Sequence, residues 1–189
     1  MKEDLAIQNQ TLNEEEVILR SVQDPENFRV LYERYFRQIF LFILHRVGDK
    51  TLSGDLSSQV FMKALINLKK YQPRGLPFSA WLYRIAVNEC NDFFRRTKRA
   101  RVVVLEENHT ERLYEELVEP DPLEDIKQLL PRVMEKLKYE ELQLIELRYM
   151  ENRPFLEVAN ILGITENYAK VRTYRILAKM KKYFRDMGH

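Results

Sequence analysis

Apolar residues recur at steps of three and four along most of this chain, which is the period of amphipathic α-helices. The clearest run extends from Phe28 to Leu44 and predicts a long helix that ends near Gly48. Asn13 is suited to cap a shorter helix before it. A third helix is predicted over about Leu56–Leu68. Strand-like alternation is nearly absent, so the pattern predicts an all-α fold.

A stretch with two prolines and a glycine, residues 71–77, interrupts the helical pattern and predicts a loop. The next helix opens at Phe78 or Ser79 and runs to about Lys98. Residues 101–124 show no helical period, are rich in acidic side chains and again contain two prolines. This composition is typical of a flexible linker.

Helical periodicity resumes after the predicted linker. Gly163 permits a sharp turn there, and Thr165 is suited to cap the helix that follows it. The sequence therefore predicts two small helical domains, a four-helix N-terminal domain at 13–100 and a helix-turn-helix C-terminal domain at 123–186, joined by a flexible acidic linker at 101–122. The helices predicted in the second domain cover about Leu123–Leu137, Glu140–Met150, Pro154–Leu162 and Thr165–Arg185.

Charge is distributed unevenly, although the formal net charge is only +2. Residues 1–104 carry +5, residues 105–126 carry −8 and residues 127–189 carry +5. Two separate positive regions indicate a protein that binds a polyanion at two places. The longest unbroken apolar run, Ile39–Leu44, is far too short to span a bilayer, and no signal peptide is evident, so we expect a cytoplasmic protein.

The C-terminal domain carries the sharper chemical signal. Seven basic residues lie between Lys170 and Arg185 with no acidic residue among them. In a helix-turn-helix the second helix enters the major groove of duplex DNA by its N-terminal part. A helical hairpin with a solvated basic face is the alternative interpretation. The residues expected to face the groove are Glu166, Asn167, Tyr168, Lys170, Val171, Tyr174 and Arg175.

The helix that begins at Phe78 has a different chemistry, because aromatic and cationic side chains are interleaved along it. Such a mixture can stack on unpaired bases while it neutralises the nucleic-acid backbone. Asn88 and Asp92 lie one turn apart and could contact base edges or be solvated. Trp81 could equally belong to the core. The side chains that form this mixture are Phe78, Trp81, Tyr83, Arg84, Phe93, Phe94, Arg95, Arg96 and Lys98.

No pattern of catalytic residues accompanies these surfaces. The three histidines are scattered, and Cys90, the single cysteine, has no histidine near it in the sequence. Metal-ligand spacing, a nucleophile elbow and a phosphate-binding glycine loop are all missing from the sequence. We therefore expect neither an enzyme nor a bound cofactor or metal.

The order of these motifs resembles that of the extracytoplasmic-function (ECF) sigma factors, a group of the sigma-70 family of bacterial transcription initiation factors. The most specific likeness is residues 78–96, FSAWLYRIAVNECNDFFRR, which resemble the segment that melts and reads the −10 promoter element. Residues 28–35 resemble the opening of the family's first domain, and residues 55–61, DLSSQVF, its polymerase-docking helix. Residues 157–166, EVANILGITE, resemble its −35-reading domain.

The resemblance implies three binding surfaces. Core RNA polymerase would be bound through Asp55, Leu56, Gln59 and Phe61. The opened −10 strand would be held by Phe78, Trp81, Tyr83, Arg84, Asn88, Asp92, Arg95 and Arg96, with a base flipped into the loop at 72–78. The duplex −35 element would be read by Glu166, Asn167, Tyr168, Lys170, Val171, Arg172, Tyr174 and Arg175.

The resemblance also implies partners and departures from the family pattern. The partners are core RNA polymerase, promoter DNA and an anti-sigma factor that is often membrane-bound, with no small-molecule substrate. The acidic linker would thread into the RNA-exit region of the polymerase. Tyr168 and Val171 are bulkier than the residues usual at these positions, which predicts an unusual −35 preference. A regulator that binds duplex DNA without polymerase remains the alternative.

Overall fold

The computed structural model describes residues 13–97, 107–117 and 123–187. The chain divides into two compact units, Met1–Ala100 and Arg101–His189. All regular elements in the described residues are helices, as the sequence pattern predicts. None of these helices combines the length and the hydropathy needed to cross a bilayer.

Unit 1 contains four α-helices: α1 Glu14–Gln23, α2 Phe28–Val47, α3 Lys50–Asn67 and α4 Phe78–Thr97. Short 3-10 turns at Pro25–Asn27 and Leu68–Lys70 follow α1 and α3. The core lies where α2, α3 and α4 pack together, because each presents a stripe of apolar side chains to the other two. Its fully buried members include Leu31, Ile39, Ile43, Val60, Ala64, Leu82 and Ala86.

The start of α3 differs from the prediction. The helix begins at Lys50 and not near Leu56, because the Asp49 side chain accepts a hydrogen bond from the Leu52 N–H at 2.9 Å and caps it. Gly48, with φ of 72°, ends α2 in the left-handed conformation immediately before this cap. The first turn of α3 is mostly polar, so it carries no apolar period that sequence reasoning could detect.

Unit 2 contains five α-helices in the described residues: α5 Glu107–Leu117, α6 Leu123–Glu135, α7 Tyr139–Ile145, α8 Phe155–Leu162 and α9 Glu166–Met187. A π-helical turn, Glu146–Met150, continues from α7 and replaces the end of the predicted single helix. Pro131 lies inside α6 without ending it. The long helix α9 packs against α6, α7 and α8, so its position organises the unit.

Helix α5 corrects the prediction that residues 101–124 are a structureless linker. Leu113 and Leu117 are buried, as are Thr110 and Tyr114, and α5 packs on the π-helical turn, α6 and α9. These positions follow the spacing i, i+3, i+4 and i+7 of an amphipathic helix. The five acidic residues from Glu107 to Glu119 hid that period. Residues 107–117 are therefore helical and packed in this structure, and residues 101–106 and 118–122 lie outside the described residues.

Candidate nucleic-acid interfaces

The start of α4 is held in place by a carboxylate from α1. Glu14 accepts a hydrogen bond from the Phe78 N–H at 3.0 Å and another from the Tyr35 hydroxyl. A carboxylate at a helix N-terminus accepts a hydrogen bond from an otherwise unpaired amide. Its negative charge is also attracted to the positive end of the helix dipole. Burial, followed by the bond to Glu14, raises the pKa of Tyr35. Glu14 thus fixes where α4 begins, and sequence reasoning missed it because its partners lie 21 and 64 residues away.

The loop before α4 is a tight turn that keeps its tip in solvent. The Leu76 N–H donates to the Pro73 carbonyl at 2.8 Å, and Arg74 and Gly75 between them have φ of 48° and 70°. Two consecutive left-handed residues make this a turn of type I′. The side chain of Arg74, in this turn, is exposed.

An aromatic cluster lies between this loop and α4. The ring centroids of Tyr71 and Trp81 are 5.0 Å apart, those of Tyr71 and Phe78 are 5.1 Å apart, and those of Phe78 and Trp81 are 5.4 Å apart. Burial, with the negative charges of Glu14 and Glu15 behind it, raises the pKa of Tyr71 to about 12, so its hydroxyl stays neutral. Trp81 is half-buried: one part packs in the cluster and the rest faces solvent.

One face of α4 carries most of the predicted −10 residues. At 100° per residue, Trp81, Arg84, Asn88, Asp92 and Arg95 fall within an arc of about 80°, which we call the α4 stripe. Its arginines and asparagine are exposed. Arg95 pairs with Asp92 at 2.9 Å, so the carboxylate is neutralised within the stripe.

Two predicted −10 residues lie elsewhere. Phe78 and Tyr83 are fully buried, and Tyr83 packs edge-on against Phe42 at 4.8 Å. In this structure both side chains are closed to solvent and support the helix. Position 83 points 200° from position 81 at 100° per residue, so Tyr83 lies off the exposed face. Phe78 is instead covered by the rings of Tyr35, Tyr71 and Trp81. Arg96 is exposed beside the stripe.

A polar cleft of about 490 Å³ adjoins the α4 stripe on the α3 side. Inside it, Lys63 of α3 pairs with Glu89 of α4 at 2.5 Å, and the Glu89 side chain is only 7% exposed. The lysine thereby cancels a negative charge that would repel a polyanion from this face. The cleft is lined by Lys63, Asn67, Ile85, Asn88, Glu89, Asn91, Asp92 and Arg95.

The predicted polymerase-binding residues divide into exposed and buried ones. Asp55 and Gln59 are exposed on α3, whereas Leu56 and Phe61 are 4% and 3% exposed and belong to the core. Met62 and Ile66, which were not predicted, are 59% and 69% exposed. Positions 55, 59, 62 and 66 lie within about 60° of one another on the helix. They form one continuous surface, the α3 face, and their i, i+4, i+7, i+11 spacing was the available signal.

In unit 2 the turn between α8 and α9 has the geometry of a helix-turn-helix. Gly163 has φ of 69°, and the Ile164 N–H donates to the Ala159 carbonyl at 3.0 Å, which ends α8. The Thr165 hydroxyl then accepts from the Tyr168 N–H at 3.2 Å and caps α9. The predicted turn glycine and cap residue are both confirmed.

Helix α9 divides sharply into a buried and an exposed face. The buried side chains are Ala169, Thr173, Ile176, Leu177, Met180 and Phe184. Every residue that the sequence predicted to face the groove is exposed, namely Glu166, Asn167, Tyr168, Lys170, Val171, Tyr174 and Arg175. The helix thus presents this set to solvent without any rearrangement.

Arg172 is the exception among the predicted −35 residues. Its guanidinium pairs with Glu141 of α7 at 3.3 Å, and Lys179, two turns further along α9, pairs with the same carboxylate at 2.6 Å. Glu141 also accepts a hydrogen bond from the Lys138 N–H at 3.0 Å. In this structure Arg172 therefore fastens α9 to α7 and points away from the exposed face.

These contacts change the acidity of Glu141. Burial alone would raise the pKa of the carboxyl, but the bonds from Lys179 and the Lys138 amide, together with the charges of Lys179 and Arg172, lower it. The hydrogen bond to Glu141 correspondingly raises the pKa of Lys179. The contacts in unit 2 therefore stabilise Glu141 as the charged carboxylate.

Comparison with known proteins matches this architecture at both ends of the chain. The Sigma-70 region 2 family matches residues 31–100, and the Sigma-70, region 4 family matches residues 133–182. Together these matches cover more than half of the sequence, and the chain belongs to the sigma-70 family.

Its relatives lie in the ECF group of that family. The chain is 28% identical over 168 residues to the ECF RNA polymerase sigma factor BldN of Streptomyces coelicolor, covering 86% of this chain and 62% of that protein. It is 25% identical over 155 residues to the ECF sigma factor SigM of Bacillus subtilis, covering 82% and 93%. The solved structure of CnrH in complex with the cytosolic domain of CnrY has the same fold, with a TM-score of 0.61 at 20% identity and coverage of 90% and 96%.

Proposed function

We propose that this chain is a sigma factor that binds core RNA polymerase, directs it to specific promoters and helps to open the −10 region. The observation that carries the proposal is that sigma-70 regions 2 and 4 match two separate compact units, each of which exposes a cationic helical face. The role is one of binding and strand separation, without catalysis of its own.

In this proposal the α4 stripe and the loop at 72–78 hold the unpaired −10 strand. The support is chemical: a half-exposed tryptophan next to exposed arginines combines a stacking surface with backbone neutralisation. The aromatic cluster beneath Trp81 holds its ring at one angle, so little side-chain freedom is lost when a base stacks on it.

The exposed face of α9 takes the duplex −35 element. The support is its position after a three-residue turn, the exposure of the predicted groove-facing residues at its N-terminal end and the basic residues that follow. Base-edge contacts would come from Asn167 and Arg175, and phosphate contacts from Lys170.

The α3 face docks on core polymerase. Asp55 and Gln59 supply polar contacts at one end of the face, and Met62 and Ile66 supply exposed apolar area at the other. An apolar patch with a polar margin is the usual composition of a protein–protein interface.

A further partner is an anti-sigma factor, and the proposed location is the cytoplasm, as for a protein that works on polymerase and DNA. The support is that CnrH, which shares this fold, was solved as a complex with the cytosolic domain of CnrY.

In-vitro transcription with purified core polymerase tests the proposal. With a library of supercoiled genomic fragments, we expect discrete start sites only when both the chain and the core enzyme are present. The free chain should bind these promoters weakly, because its two units gain effective concentration only when polymerase fixes their spacing. Tight, sequence-specific binding without polymerase, and no transcripts with it, would instead identify a helix-turn-helix regulator.

A further inference from the structure

The exposed face of α9 has an apolar centre. The buried side chains Ala169, Thr173 and Ile176 mark the core side of the helix, and at 100° per residue Val171 points nearly opposite to them. Val171 therefore faces away from the core of unit 2, in the part of α9 that follows the turn.

Aromatic side chains flank this valine. Tyr168 is 54% exposed, Val171 is 41% exposed and Tyr174 is 49% exposed, and all three rank among the exposed large apolar residues of the described chain. Valine has no hydrogen-bonding group, so it cannot read the donors and acceptors of a base edge. Leaving it in water on a charged helix has no packing benefit, which points to an apolar surface on the ligand.

The charge around this apolar centre indicates that the ligand is a polyanion. No acidic residue occurs between Lys170 and Arg185. Of the seven basic residues in that stretch, Arg172 and Lys179 are paired with Glu141, which leaves five for the ligand. Those exposed at the surface include Lys170, Arg175, Lys182 and Arg185. A protein partner that bound only the apolar side chain of Val171 would gain nothing from the basic residues around it.

Duplex DNA supplies an apolar group in only one way within the major groove. Thymine presents its C5-methyl group there, whereas none of the other three unmodified bases carries an alkyl group at that edge. We propose that Val171 reads thymine methyl groups in the −35 element, so that the preferred element contains a thymine opposite Val171. Tyr168 and Tyr174 lie on either side of Val171 and would exclude water from its contact with the methyl group. This inference rests on the proposed function and names the base that the α9 face selects.

Selection followed by base substitution tests the proposal. Holoenzyme reconstituted from core polymerase and this chain is used to select from duplexes with a randomised −35 region. The selected thymines are then replaced one at a time by deoxyuridine, which pairs identically but lacks the methyl group. We expect binding to fall by about fourfold at one thymine, the effect of burying roughly one methyl group. The Val171→Ala chain should bind the two duplexes with nearly equal affinity.

A matched control separates methyl reading from general affinity. Lys170→Ala removes a neighbouring positive charge and should weaken binding to the thymine and deoxyuridine duplexes by the same factor. Val171→Thr retains one methyl group on the side chain and should keep part of the discrimination. Because position 171 is exposed, neither substitution there should change the unfolding temperature of the chain.

The outcomes distinguish this inference from the proposed function. Selection without any thymine preference, or an equal deoxyuridine penalty in wild type and Val171→Ala, would overturn the inference while transcription continued. If the holoenzyme starts no transcripts, the proposed function fails, and the same selection with the free chain at low salt decides the inference. Thymine enrichment there would uphold it, and enrichment of no sequence would overturn it.

Discussion

The two cationic helices of this protein differ in what surrounds their charges. On α4 the arginines lie beside a half-exposed tryptophan, a strained turn and a polar cleft, all suited to bases that have left the stack. On α9 the lysines and arginines surround a small apolar centre on a regular helix that matches an intact groove. Under the proposed function, similar charge would serve separated strands in one unit and closed duplex in the other, and the neighbouring side chains would decide which.

The largest effect should come from Trp81→Ala. Loss of base stacking is worth about 1–3 kcal/mol, or roughly 5- to 150-fold in the stability of the open complex. Binding of the −35 duplex should stay unchanged, because α9 belongs to the other unit. Fluorescence of 2-aminopurine placed in the −10 strand measures opening. Trp81→Phe is the matched control and should retain most of the strand opening. If Trp81→Ala lost −35 binding to the same extent as opening, the two units would not have the separate roles proposed for them.

Glu141→Gln should destabilise unit 2 by about 1–2 kcal/mol, since two cations lose their carboxylate partner and both are partly exposed. The effect depends on pH. The folded-state pKa of Glu141 is lowered, so its contribution is present above the unfolded pKa and is lost as pH falls through the folded one. Thermal unfolding of wild type and Glu141→Gln should therefore differ at pH 7, and the difference should shrink progressively as the pH falls below about 4. A difference that stays constant down to pH 3 would contradict the role of the charge.

Two glycine substitutions should have opposite effects on the stability of unit 1. Gly75→Ala places a Cβ in a left-handed residue with φ of 70°, and we expect a loss of about 1 kcal/mol together with a disturbed loop. Gly54→Ala is the control: it lies inside α3 with open space around its Cβ position, and it should gain about 0.5–1 kcal/mol. Equilibrium denaturation of both variants provides the measurement. Unchanged or increased stability in Gly75→Ala would show that position 75 carries no left-handed strain.

The smallest effect should come from single exposed cations. Arg84→Ala on the α4 stripe and Lys182→Ala on α9 should each reduce the salt dependence of promoter binding by about one unit of slope. The loss should be the same for all promoter sequences. A variant that changed sequence preference would show that its side chain contacts a base edge and not the backbone.

Sequence periodicity predicted the helices that have strong apolar stripes, such as α2 and α9, and the turn at Gly163. It missed α5, where Leu113 and Leu117 carry the period but acidic residues dominate the composition. It also placed the start of α3 too late, because the cap at Asp49 acts through one side-chain bond that leaves no periodic trace.

The candidate surfaces were predicted less completely than the fold, because a motif does not state which way a side chain points. Phe78 and Tyr83 share a motif with Trp81 but are buried in the core. Arg172 stands among exposed residues of α9 but is drawn to Glu141, which lies 31 residues earlier in the chain. Contacts between residues this far apart in the sequence form only in the folded structure, and local sequence patterns do not predict them.

The central claim is that one unit holds separated strands and the other holds closed duplex, with polymerase fixing both. Permanganate reactivity of −10 thymines, on a promoter recovered by the holoenzyme selection, tests it most directly. The account predicts reactive thymines only when core polymerase and the chain are combined, and their loss with Trp81→Ala while −35 protection persists. Reactivity that is unchanged by Trp81→Ala, or −35 protection without any opening in the wild type, would contradict it.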